Sequence, residues 1–283
     1  MRKLYNNHRI TSPEAKTKRG KRHAASLALG TLAFGLASLG FASCDNIDEA
    51  HRYIEEEAVE VARNVLLEEF TGQMCTNCPD GHRILQSLEE QYGENLIVVS
   101  IHAGNLSIPA PAGLKLSEGD EYAKYWDIYA YPTAIVDRTS GKLDYTQFAD
   151  AVRKEIGKTT TLEMNLEVQL SDDKQNLEVF TTLVSPTPLN GTLQLWVVED
   201  NITGVQIDNG KTIPDYVHNN VFRGCVNELW GVATPLVENE VKYANYATPV
   251  NPDWNLDYIG VVGFYYDASG VVQVEKVYLN PKP

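Results

Sequence analysis

The chain has 283 residues, 43% hydrophobic and 22% charged, the balance of a folded globular protein with one large or two ordinary domains. Its formal charge of −14 is unevenly placed: residues 1–43 carry eight basic side chains and one acid, a net of +7, so residues 44–283 carry −21. A body that acidic is repelled by a phosphate backbone, which argues against nucleic acid as a partner; four cysteines are too few for a disulfide scaffold, and no run beyond residue 43 is apolar and long enough to cross a bilayer.

The basic run ends at His23. An uncharged stretch from Ala24 to Gly40 follows, and then Phe41-Ala42-Ser43-Cys44. A basic opening, an apolar middle and small residues at a cut site predict a secretory signal peptide over residues 1–43; a membrane anchor that is never cut is the alternative. Cys44 directly behind two small residues resembles the lipobox of bacterial lipoproteins. That resemblance implies that Cys44 is the acylated first residue of the mature chain, with palmitate among its acyl groups. Several chains hold a protein on a membrane far better than one. Asp45, Asp48, Glu49 and Glu55-Glu56-Glu57 make residues 44–63 an acidic tether. A similar acidic patch directs lipoproteins of some Gram-negative anaerobes to the outer face of the outer membrane, so exposure at the cell surface is the expectation.

Val65 to Phe70 reads as a buried strand. Thr71-Gly72-Gln73-Met74 turns the chain, Cys75-Thr76-Asn77-Cys78-Pro79 follows, and Ile84, Leu85, Leu88 and Tyr92 recur at helical spacing up to Gly93. Leu96 to Ile101 is a second buried strand, so the cysteines stand at the start of the helix in a strand–helix–strand unit. A helix N-terminus presents unpaired N–H groups and the positive end of its dipole, which lowers a thiol pKa there. Cys75 is the expected exposed nucleophile and Cys78 the resolving thiol. Pro79 sits where its missing N–H costs nothing. A permanent structural disulfide is the competing reading. No second CxxC or paired histidine motif accompanies the cysteines, so no metal and no bound cofactor are expected.

Ile128 to Asp137, with Tyr131-Pro132-Thr133, resembles the thioredoxin segment in which a cis proline opens a strand facing the CxxC; by that resemblance Pro132 and the Tyr131 backbone hold an extended substrate. Glu69, six residues before Cys75, matches the buried acid that takes the resolving cysteine's proton; simple exposure to solvent is the alternative. Arg138 to Lys142 reads as a hairpin turn, and Phe148, Val152 and Ile156 mark a helix that closes near Gly157. Met74 stands where thioredoxins have tryptophan. Residues 102–119 form an inserted loop near the CxxC. Tyr122, Tyr125, Trp126, Tyr129 and Tyr131 behind it are expected to divide between core and the wall of a peptide groove.

From Thr161 the period changes to two: Leu162, Met164, Leu166, Val168 and Leu170 alternate with polar residues. Further strands are expected over 177–184, 193–199, 261–266 and 271–277, the last two joined by a hairpin at Asp267-Ala268-Ser269-Gly270. The fold class expected is therefore an α/β thioredoxin-like domain over 64–158 followed by an all-β immunoglobulin-like sandwich over 160–283. Within it, Cys225 reads as a buried, inert thiol, with a long-range bridge to the CxxC as the alternative, and His218 as a hydrogen-bonded structural histidine.

Glu68-Glu69-Phe70-Thr71-Gly72 with Cys75-Thr76-Asn77-Cys78-Pro79, then Ile101-His102-Ala103-Gly104, Tyr131-Pro132-Thr133, and Tyr216 with His218-Asn219 and Val221, resembles the twenty-eight-kilodalton outer-membrane lipoprotein family of Gram-negative anaerobes. The resemblance runs from Cys44 to the C-terminus and implies a lipidated, thioredoxin-like protein of the outer membrane. Asn220 replaces a histidine of that pattern, which weakens any metal reading further. The family leaves two functions open. One is thiol–disulfide exchange with a protein or peptide substrate. The other is a surface adhesin or receptor for which the thioredoxin-like part is a scaffold.

Overall fold

The computed structural model describes residues 59–280. The expected signal peptide, Cys44 and most of the acidic tether lie outside the described residues. The last residues of that tether, Val61–Ala62, are a short strand, β1. The strands and helices that follow are β2 (Val65–Thr71), α1 (Cys78–Tyr92), β3 (Leu96–His102), α2 (Ser117–Tyr125), β4 (Thr133–Val136), β5 (Leu143–Asp144), α3 (Phe148–Glu155) and β6 (Thr159–Thr160), which pairs with β1. The second half of the chain is almost all strand: β7 (Glu163–Leu170), β8 (Asn176–Val184), β9 (Thr192–Glu199), β10 (Ile202–Asp208), β11 (Lys211–His218), β12 (Val221–Cys225), β13 (Val232–Ala233), β14 (Lys242–Pro249), β15 (Ile259–Asp267) and β16 (Gly270–Tyr278). The fold is β-rich, with three α-helices among the described residues.

β2 and β3 are parallel neighbours and are buried at every residue. Their continuous apolar runs, Val65-Leu66-Leu67 and Leu96 to Ser100, suit a strand covered on both faces. β4 adds antiparallel to β2, and β5 to β4. On its other side β3 meets β12, where Val221 pairs with Ser100, and β9, β15 and β16 continue from there. One large sheet, in the order β16-β15-β9-β12-β3-β2-β4-β5, thus takes strands from both halves of the chain. The expected boundary near residues 158–160 falls at β6, and the sheet is continuous across it.

Alternation along these strands sorts side chains between two faces. Leu66, Phe70, Val99 and Ile101 share one core with Trp196, Phe222 and Phe264, covered by Tyr122 of α2. On the opposite face Val65, Leu67 and Val98 pack against Leu85 and Leu88 of α1 and Phe148 and Val152 of α3. Further along that face Leu193, Leu195 and Val197 pack on Leu177, Val179 and Leu183, which belong to a second sheet, β14-β8-β7. That sheet shows the expected period of two, with one face buried and one wet.

Two carboxylates on β2 are wholly buried, and each has a partner. Glu68 accepts from Arg138 Nε at 2.7 Å, and Glu69 accepts from Ser100 Oγ at 2.9 Å. Arg138 lies in the expected hairpin turn between β4 and β5, and its side chain is turned inward and almost wholly buried. Its guanidinium lies 4.6 Å from the Phe264 ring centroid and 4.4 Å from that of Tyr266, so it ties β2 to β15.

Candidate functional site

Cys75 and Cys78 form a disulfide at the start of α1, their Cα atoms 5.4 Å apart. Asn77 is the N-cap and Pro79 lies in the first turn. The Cys78 backbone N–H, one of the helix's free donors, points to Cys75 Sγ at 3.1 Å. A charge on Cys75 would meet this donor and the positive end of the dipole, so a thiolate is favoured there over Cys78. Cys75 Sγ also lies 3.4 Å from the Tyr131 carbonyl oxygen. The Tyr131–Pro132 bond that follows is cis, and Pro132 leads into β4.

The expected exposure of Cys75 does not hold: it is 3% exposed and Cys78 is fully buried. Two pieces of chain close over the turn. The inserted loop contributes Leu106, whose carbonyl accepts from Met74 N at 2.8 Å, and Ser107, whose Oγ donates to Thr71 O. The second piece is the β10–β11 hairpin. Ile207 N donates to Gln73 O at 2.8 Å, Asn209 N to Thr76 O at 3.2 Å, and Gly210 N to Thr76 Oγ1 at 2.8 Å. The Gln206 side chain, buried completely, donates to the carbonyls of Gly72 and Cys75 at 3.2 and 3.0 Å. Met74, in place of tryptophan, stays 46% exposed at the rim.

This hairpin went unread in the sequence, although it carries a signal. Asn209-Gly210 sits between two strands, and both residues have positive φ, 48° and 77°, as a tight two-residue hairpin turn requires. The signal is blurred because neither strand is apolar. A bulge sets Pro214 and Asp215 against Val205 alone, and such bulges re-aim side chains, here beside Gln206.

Between α1, β2, β3 and β11 lies a polar cavity of about 120 Å³ lined by Glu69, His82, Ser100, His102, Tyr216 and His218. Glu69 is buried, which decides against the solvent-facing alternative; besides Ser100 it approaches His82 Nε2 at 3.5 Å. Burial pushes its pKa up to about 8. Burial also pushes His82 down to about 3 and His218 to about 4, and holds His102 well below the usual histidine range. At neutral pH the cluster is thus an uncharged acid and three uncharged imidazoles, the cheapest state for buried ionisable groups. His82 Nδ1 meets the Tyr216 hydroxyl at 2.8 Å. His218 packs between the His102 and Tyr216 rings. Among the described residues no group of three His, Cys, Asp or Glu is arranged to hold a metal ion.

Cys225 is a free thiol, so the long-range bridge is not formed. It is half-buried 3.1 Å from the Tyr122 hydroxyl, and burial raises its pKa to about 11. In the aromatic cluster Tyr122 is fully buried, and Tyr125 and Tyr129 are exposed.

The model of one family, outer membrane protein Omp28, matches residues 119–283, more than half of the chain. The chain belongs to the Omp28 family. Membership places it at the cell outer membrane as a lipid-anchored protein. Among solved structures, HBP35 of Porphyromonas gingivalis is similar with a TM-score of 0.63 and 18% identity, over 77% of this chain and 76% of that one. At that identity the likeness is one of fold. A protein from Agrobacterium tumefaciens gives a TM-score of 0.48 at 15% identity, over 80% of this chain and 98% of its own. A domain of the outer membrane lipoprotein Omp28 from Porphyromonas gingivalis gives 0.30 at 21% identity, over 43% of this chain and 90% of its own. The comparison with curated proteins gives no match.

Proposed function

We propose that this Omp28-family protein carries out thiol–disulfide exchange on protein or peptide substrates at the outer membrane. In this reading residues 64–158 are a thioredoxin-like half and residues 160–283 a β-sandwich half, and Cys44 carries the lipid. The observation that carries it is the Cys75–Cys78 pair at the start of α1, with the Cys78 N–H on the Cys75 sulfur and the Tyr131 carbonyl beside it. A substrate dithiol attacks Cys75, giving a mixed disulfide and releasing Cys78 as a thiolate that takes up a proton. The substrate's second thiol then displaces Cys75. Two electrons and two protons move from the substrate to the pair, and the substrate leaves as a disulfide; the reverse sequence reduces a substrate disulfide. Run as a reductase, Cys75 attacks and Cys78 resolves. Glu69, protonated up to about pH 8, holds the exchangeable proton. The Tyr131–Pro132 segment presents backbone to an extended peptide. No bound cofactor is required; a second dithiol or disulfide protein is the co-reactant.

A second reading is supported by the burial of both sulfurs beneath the β10–β11 hairpin. Here the disulfide is structural, and the protein is a surface adhesin or receptor built on the same scaffold. One pair of variants separates the two. With Cys78→Ser the resolving step is gone, so mixed disulfides accumulate through Cys75; with Cys75→Ser none form. Non-reducing gels of each variant after exposure to oxidised peptide substrates give the answer. Equal silence from both variants, with a pair potential below about −300 mV instead of about −120 to −270 mV, would leave the structural reading standing.

A further inference from the structure

Gln206 is fully buried on a hairpin that belongs to the other half of the chain, and its amide Nε2 is spent on the carbonyls of the CxxC turn, Gly72 O and Cys75 O, and on Ile207 O. Around it the hairpin holds the same turn through backbone: Ile207 N on Gln73 O and Asn209 N on Thr76 O. Gln73 closes the ring from below, its Nε2 donating to Val205 O at 3.4 Å and its Oε1 accepting from Leu114 N at 3.0 Å. At the rim Arg83 of α1 pairs with Asp208 of β10 at 3.3 Å. The turn that carries the disulfide is thus held at Gly72, Gln73, Cys75 and Thr76 by a hairpin more than 130 positions away in sequence.

We propose that Gln206 is a positioning residue for the Cys75–Cys78 pair and that the β10–β11 hairpin, acting through it, holds that pair in its oxidised form. The proposal rests on the pair being reducible, as the exchange reading requires, and adds what sets its equilibrium. Reduction by an external dithiol breaks the Cys75–Cys78 bond and forms two S–H bonds, while the dithiol gives up two electrons and two protons and closes its own disulfide. Two thiols need separate van der Waals room where one covalent bond stood. Both sulfurs are enclosed, and the backbone that would have to shift is fixed by the hairpin's donors. The hairpin therefore fits the oxidised turn better than the reduced one. By linkage, whatever binds one form more tightly shifts the equilibrium toward it. Releasing the hairpin must then make the pair easier to reduce.

The test uses the full-length protein in detergent, equilibrated with mixtures of reduced and oxidised dithiothreitol, with the fraction of reduced pair read by thiol alkylation. Gln206→Met keeps the buried volume and removes the donor. It is expected to move the equilibrium about tenfold toward the reduced form, about 30 mV for this two-electron couple. Asp208→Ala releases the rim pair with Arg83 and the hydrogen bond from Asn209 Nδ2, leaves nothing buried unfilled, and is expected to shift it in the same direction by about twofold. A residue that served folding alone would lower the midpoint of thermal unfolding and leave the equilibrium where it was. An unchanged equilibrium in folded Gln206→Met overturns the proposal. If that variant does not fold, an unchanged equilibrium in Asp208→Ala overturns it. A wild-type pair that reduces readily, shifts as expected in the variants and yet traps no substrate would refute the exchange reading and uphold this one.

Discussion

Among the described residues Glu69 is a carboxyl with no cation in hydrogen-bonding reach: Ser100 and His82 are its polar contacts there, and His82 is neutral. Its folded pKa of about 8 stands above the unfolded value of 4.5 because burial penalises the charged form. Between those values the folded state keeps a proton that the unfolded state has lost. Its contribution to stability is therefore complete at low pH and is lost as pH rises toward about 8, at about 1.4 kcal/mol per pH unit. His82 and His218 have the opposite sign: folded, they stay neutral down to about 3 and 4, so stability rises with pH up to 6.5. The window from about 6.5 to 8 belongs to Glu69. Urea midpoints measured across it should fall with pH in the wild type and stay nearly level in Glu69→Gln, which is neutral throughout. Parallel curves for the two proteins would remove the raised carboxyl. The sequence singled out Glu69 by its spacing from Cys75. It gave no sign of His82, His102 and Tyr216 as its neighbours, because those come from the far end of α1's first turns, the end of β3 and the β11 strand, and only folding brings them around one cavity.

At the level of elements, alternation proved a reliable guide wherever a strand has one wet face. β8 reads Asn176 to Val184 with odd-numbered residues buried and even-numbered residues partly exposed, as period two demands. Leu183→Ala should cost about 2–5 kcal/mol, since it empties a place against the β9–β15 face, whereas Thr182→Ala on the other face should stay within about 0.5 kcal/mol. Denaturant midpoints decide it, and equal costs would mean that β8 packs in another register. Alternation fails for β9 and β15, which are buried at nearly every residue, because helix α2 with its flanking loops covers one face and the second sheet covers the other. It fails again for β10 and β11, whose contacts with the CxxC turn are polar and leave no hydrophobic stripe to read.

Across the whole molecule, the halves are tied by backbone and side chain. Ser100 N donates to Asn220 O at 2.7 Å, Val271 N to Asp137 O at 3.0 Å, and Arg63 Nη1 to Val271 O at 2.9 Å. Arg63 also pairs with Asp137 and Glu155, so the segment entering β2 is clamped between α3 and β16. A protease nick near Gly157 to Thr161, the expected boundary, should leave both fragments eluting together under native conditions and parting only in denaturant. Free separation of the pieces on a sizing column would show that the shared sheet does not hold them.

The sequence by itself determined what is local. The basic and apolar run ahead of Cys44 gave the expectation of a secretory signal, and its resemblance to a lipobox gave that of a lipid anchor. Hydrophobic periodicity gave α1, α3, β7 and β8, and continuous apolar runs gave β2, β3, β9, β15 and β16. The spacing of Cys75, Cys78 and Pro79 put a disulfide at a helix start, and the segment around Tyr131-Pro132 matched its facing strand. What only the tertiary structure decided is how accessible that disulfide is and what surrounds it. The sheet runs through both halves, Arg138 turns its side chain from the hairpin into the core, and a hairpin from residue 202 onward closes over Cys75. Hydrogen bonds between distant polar segments leave no periodic mark in a chain. Their partners become neighbours only when the apolar faces on either side have packed, so the cysteine pair can be read from sequence while the hairpin over it cannot.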